Sequence, residues 1–155
     1  MTDRLFFEDL SIEDSFDLGP KSVDREEVIA FAEDFDPQPF HLDEEAGRAS
    51  ILGGLSASGW HNCAMLMRMM YDSFLPRMAS EGSPGLDFVK WQRPVLAGDT
   101  LSGRSQIIEL RPSASRPQLG IAVFTHTLHN QRGEDVLSSR NPVLIRRRLA
   151  AKDPA

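Results

Sequence analysis

Asp36 and His41 stand five positions apart in the run Asp36-Pro37-Gln38-Pro39-Phe40-His41, with two prolines between them. A carboxylate and an imidazole are the side chains best suited to moving protons near neutral pH. If both face one cavity, a neutral imidazole can take a proton from water while the carboxyl group holds that water or donates a proton elsewhere. Proline fixes φ and reduces the freedom of the unfolded chain. Pro37 and Pro39 are therefore expected to keep the segment extended and to carry His41 to a reproducible distance from Asp36. On spacing alone, a surface turn is the more ordinary account of such a pair.

A second stretch with chemical potential is LGGLSASGWH, residues 52–61, a small-residue loop running into an apolar helix. Unpaired amides at a helix start, that of Gly59 among them, can bind an oxyanion, and the missing side chain would let a substrate carbonyl come close. A glycine that packs before a helix explains the local sequence equally well. Gly54, Ser58 and Gly59 are the candidate substrate-binding residues here. A water-activating pair beside an amide trap for a carbonyl oxygen suggests chemistry next to a thioester.

The other titratable groups carry weaker signals. His61 falls in the first helical turn, where the helix dipole disfavours a charged imidazole, so it is expected to support the site rather than act in it. His126 and His129 are three apart on one predicted strand, hence on opposite faces, and are expected as surface or interface histidines rather than joint metal ligands. No metal site and no cofactor are expected. Cys63 is the only cysteine, set among Ala64, Met65 and Leu66, which points to a buried thiol and a reducing compartment.

Several elements must position these residues. Val28, Phe31, Ala32 and Phe35 recur at helical spacing, which predicts an amphipathic helix from Val23 to Phe35, capped by Asp24 with Glu27 as its capping-box partner. Pro37 should stop it near Asp36, leaving that carboxyl at the negative end of the helix dipole, where its pKa is expected to rise. LDEEAGRA reads as a short acidic helical turn. WHNCAMLMRMMYDSF, residues 60–74, is apolar on nearly every face and is expected to be a central helix enclosed by the rest of the domain. Its methionines Met65, Met67, Met69 and Met70 read first as core, with an adaptable acyl tunnel as the other option.

Four strands follow, in LDFVKWQRPV, TLSGRSQIIEL, GIAVFTHTLHN and DVLSSRNPVLIRRR, joined by connections too short for crossover helices and therefore expected to pair antiparallel in sequence order. The fold class is α+β: an antiparallel sheet curling around one apolar helix. One domain over residues 1–150 is expected, with a frayed tail at 151–155.

The composition supports this picture. The chain has 155 residues, 41% of them apolar and 26% charged, so it should fold. Its net charge of -6 argues against nucleic-acid binding. Arg146-Arg147-Arg148 with Lys152 reads as a solvated strand end. No apolar run approaches the ~18 residues of a membrane span, and the acidic start is unlike a signal peptide, so a cytoplasmic protein with no membrane partner is expected.

The run FAEDFDPQPFHLDEEAGRASILGGLSASGW resembles the MaoC-like dehydratases, the group that contains (R)-specific enoyl-CoA hydratases, whose motif reads D-x-N-P-x-H followed by a G-x-x-x-H-G-type segment. WQRPVLAGDTL is similar to the R-P-V-x-x-G-D strand and turn of that family, and the NQRGEDVL hairpin extends the match over most of the chain. The resemblance implies a hot-dog fold, a dimer or higher homo-oligomer, and an acyl substrate carried as a thioester of CoA or of an acyl carrier protein. It also implies that Asp36 and His41 activate the water added across a trans-2-enoyl thioester while the Gly59 amide binds the thioester oxygen. Gln38 replaces the motif Asn, Ser58 replaces the usual His before Gly, and Met67 stands where some members place a water-binding serine. A hot-dog thioesterase and a non-catalytic acyl-CoA-binding subunit are the competing readings. Lys90, Arg93, Arg111 and Arg116 are equal candidates for the carrier phosphates or an acyl carboxylate.

Overall fold

The computed structural model describes residues 4–148; the expected tail at 151–155 and Lys152 lie outside them. Helix α1 runs Arg25–Phe35, with the Asp24 side chain accepting from the Glu27 amide as its capping pattern requires. It buries Val28 and Ala32 and stops at Asp36, whose φ of -156° leaves the helix. The next segment departs from expectation. Pro39–His41 is one turn of 3-10 helix rather than an extended strand, because the fixed φ of Pro39 suits the first position of a helical turn. Helix α2, Glu44–Ala49, is capped by Asp43. It packs its Gly47 directly on the backbone of Gly54, a contact that any side chain at Gly47 would block.

Helix α3 spans Gly59–Ser73 and buries His61, Asn62, Met65, Leu66, Met69 and Met70. It is not enclosed on every face: Trp60, Met67 and Tyr71 are 61%, 54% and 51% exposed. The core reading thus holds for three of the four methionines and fails for Met67.

The sheet has five strands, not four. The added one, β1 (Ser15–Ser22), pairs antiparallel with β3 (Thr100–Pro112). β3 pairs with β4 (Leu119–His129) and β4 with β5 (Asp135–Arg146), through turns at 113–118 and 130–134. The short β2 (Phe88–Lys90) does not join β3; it pairs with β5 at the far edge, giving the order β1-β3-β4-β5-β2. After Lys90 the chain leaves the sheet and crosses back past Ser56, bridging it at Leu96, before β3 begins. Side chains of the sheet and of α3 form one core that includes Phe74, Phe124, Ile107, Leu128 and Ile145. An antiparallel sheet wrapped on a long helix is the architecture expected from the alternating strands.

At the chain's lower end, Arg148 grips Asp9 through two bonds of 2.7 and 2.8 Å, and Arg147 meets Glu8 at 3.0 Å. Arg147 and Arg148 therefore tie the N-terminal segment to the end of β5, while Arg146 and Arg148 stay exposed as expected of a solvated strand end.

Candidate active site

Helix α1 delivers Asp36 at its end, and the single turn after Pro39 delivers His41 into the space beside α3. The two side chains meet, with His41 Nε2 3.3 Å from Asp36 Oδ2. His41 Nδ1 lies 2.7 Å from the Ser56 carbonyl oxygen, an acceptor only, so Nδ1 carries the hydrogen and donates it there. Nε2 is thereby left as the nitrogen that can take up or release a proton. The Phe40 ring stands edge-on to the imidazole at 4.7 Å and limits its rotation.

Asp36 is held just as firmly. Gln38 donates from Nε2 to Asp36 Oδ1 at 2.7 Å, so the residue that replaces the motif Asn still orients the acid. Burial pushes the Asp36 carboxyl up, but hydrogen bonds from Gln38 and Ser58 and the nearby imidazole outweigh it, and the net pKa is below the ordinary value. This reverses the rise expected from the helix dipole, because donors converging on the carboxylate act at shorter range than a helix end.

Ser58 is fully buried. Its hydroxyl accepts from the Trp60 amide at 3.3 Å as the cap of α3 and lies near enough to Asp36 to help lower the pKa of that carboxyl. His41 and Gly59 line a common cavity of about 400 Å³, together with Phe40, Asn62, Trp91 and Arg93. Asp36, Ser58 and Gly54 are not among its lining residues: Asp36 reaches the cavity through His41, and Gly54 is buried between Gly47 and Leu96. The Gly59 amide, at the first position of α3, has no carbonyl of its own helix to bind. Of the two reasons expected for the missing side chain, close packing is the one seen: a Cβ at Gly59 would stand 2.7 Å from the Trp91 indole, which occupies that space.

Of the remaining candidates, His61 faces α1. It lies 3.3 Å from Glu27 and stacks on Phe31, outside the cavity of His41, and burial pushes its imidazole down against the opposing pull of Glu27. His126 is not a surface residue; it is buried between Ser105 at 2.7 Å and Asn141 at 2.9 Å. Cys63 is half-buried, and burial raises its thiol pKa. Arg93 alone of the four basic candidates lines the cavity. Among the described residues no three His, Cys, Asp or Glu side chains cluster in a way that could hold a metal ion, and no helix is long and apolar enough to cross a membrane.

Three contributors escaped sequence reading: Trp91, Asn62 and the Ser56 carbonyl. Trp91 arrives from the loop between β2 and β3, and Ser56 acts through its backbone, so neither has a local signature. Asn62 did carry one, as a polar residue three positions after Gly59 and so on the same face of an otherwise apolar helix.

Residues 9–127 match the family model described as a MaoC like domain. The chain belongs to the MaoC-like family. A MaoC-like dehydratase from Rhodospirillum rubrum shares 44% identity over 93% of this chain and 98% of its own, with a TM-score of 0.85. The (R)-hydratase from A. caviae involved in PHA biosynthesis is 25% identical, covering 86% of this chain and 96% of its own, with a TM-score of 0.69. Mesaconyl-CoA hydratase of Haloarcula marismortui is 38% identical over 68 residues, which are 43% of this chain and 19% of that enzyme. The fold of this MaoC-like chain is the hot-dog fold.

Proposed function

We propose that this MaoC-like protein is a hydro-lyase that reversibly adds water to a trans-2-enoyl thioester, giving a 3-hydroxyacyl thioester. The observation that carries the reading is the 3.3 Å contact between Asp36 and His41 Nε2, with His41 and Gly59 lining one cavity. His41 Nε2 takes a proton from water as the water oxygen bonds to Cβ, and the C=C electron pair moves toward the thioester oxygen. The Gly59 amide donates to the enolate oxygen, where charge collects only in the transition state and intermediate. The enolate then collapses, and Cα takes the proton that His41 carried, so one water is consumed and both groups return to their starting states. Asp36, kept ionised by its donors, holds the water's second hydrogen and stabilises the imidazolium. The scheme needs no metal or redox cofactor.

The carrier in this reading is CoA, with Arg93 at the cavity as the basic residue best placed for its phosphates. A cytoplasmic homodimer completes the proposal. The exposed apolar residues Trp60, Met67, Leu86 and Phe88, beside the open edge of β2, are the surface offered to the second copy.

A panel of 2-enoyl-CoAs incubated with the protein and read by mass spectrometry tests the chemistry. Products heavier by one water are expected. Release of free CoA thiol without hydration would point to a thioesterase, and ligand-induced stabilisation without any product to a binding subunit.

A further inference from the structure

The Trp91 side chain, which lines the cavity of His41, also lies near the Cys63 thiol, and Cys63 lines a second cavity of about 150 Å³. On α3 the first cavity takes Gly59 and Asn62 and the second takes Cys63, Leu66, Met67 and Met70, so the two spaces follow one another along that helix. The second is walled by Leu66, Met70 and Val89, yet His126, Ser139 and Asn141 of the sheet also line it. Ser105, His126 and Ser139 sit opposite one another across β3, β4 and β5, which makes a polar row through a face that is otherwise core.

The bonds in that row are accounted for with one exception. His126 Nε2 donates to Asn141 Oδ1, which leaves Nδ1 to accept from the Ser105 hydroxyl. Asn141 Nδ2 donates in turn to Ser83 at 3.1 Å. The Ser139 hydroxyl is 3% exposed and has no partner among the described residues. A buried hydroxyl without a partner is costly, and one that faces a cavity is placed to bond whatever enters it.

We propose that this second cavity receives the far end of the substrate's acyl group, and that this end carries an uncharged oxygen, a hydroxyl or a ketone, which bonds Ser139. The proposal rests on the enoyl-thioester reading of the first cavity. A volume near 150 Å³ holds a molecule about the size of benzene, hence roughly six non-hydrogen atoms. A carboxylate does not suit it: no Lys or Arg lines the cavity, and burial keeps His126 in its neutral form, so the charge would be buried without a counterion.

Equilibrium binding of 6-hydroxyhexanoyl-CoA and hexanoyl-CoA to the full chain, measured by calorimetry, tests the assignment. The hydroxylated ligand is expected to bind about tenfold more tightly. In Ser139→Ala that preference is expected to vanish while hexanoyl-CoA binds as before. Equal affinity of the two ligands for the wild type, or a preference that survives Ser139→Ala, would overturn the proposal. Turnover of the matching 2-enoyl thioesters is read separately: no hydration, with the binding preference and its loss intact, contradicts the hydratase reading and leaves the oxygen-binding cavity standing.

Discussion

Asp36 and Gly59 of the candidate site are each fixed by neighbours whose loss has a distinct signature. Gln38 and Ser58 hold the Asp36 carboxyl below its ordinary value of 3.8. In Gln38→Leu one donor is gone, and the Asp36 pKa is expected to rise, as followed by NMR titration of the side-chain carboxyl. The sign of the stability change follows from linkage. A depressed folded pKa contributes stability that is present above the unfolded value and lost as pH falls through the folded one, so the variant should unfold at a higher pH on acidification. At Gly59 the neighbour is Trp91. Gly59→Ala is expected to cost ~1–3 kcal/mol by overpacking, seen as a lower Tm, and to shift the indole enough to weaken substrate binding. The pair was legible in the sequence because five residues and two prolines bound its separation, whatever the rest of the chain does. Trp91 was not, since it meets Gly59 across 32 positions of sequence and nothing near either residue records the contact.

Elements set where those residues end up, and α1 matters most because it aims Asp36. Removing its cap in Asp24→Ala is expected to destabilise the protein by ~0.5–2 kcal/mol in thermal or denaturant unfolding. The helices were readable from spacing, caps and prolines, all local signals; α3 differed from expectation in starting at Gly59, ending at Ser73 and exposing Trp60, Met67 and Tyr71. Strands were harder. β1 was missed because SFDLGPKS contains Gly19 and Pro20 and buries only Leu18, leaving no alternation to see. The place of β2 was misread for a different reason. Sequence order favours pairing neighbours, but three residues at Phe88–Lys90 bond β5, and the chain then spends its next residues lining the His41 cavity through Trp91 and Arg93. The segment that broke the pairing expectation thus forms one wall of the site.

Besides His41, two more imidazoles are buried, and burial pushes the pKa values of these two, His61 and His126, down. The unfolded chain binds protons at the ordinary value of about 6.5 while the folded one resists them. Stability is therefore fully present above pH ~6.5 and is lost as pH falls toward the folded values, with a slope of up to ~1.4 kcal/mol per pH unit for each histidine. Denaturant unfolding between pH 7 and 5 checks this, and His126→Gln is expected to reduce the slope. At the same scale, sedimentation of the purified chain is expected to show a dimer, and Phe88→Glu at the open sheet edge to shift it toward monomer. The activity itself is tested most directly by the loss of enoyl absorbance when the wild type, Asp36→Asn and His41→Gln are mixed with short 2-enoyl-CoAs. The wild type should hydrate at least one of them, and each variant should be slower by about 10²–10⁴-fold. Hydration at unchanged rate in both variants would contradict the assignment of the pair.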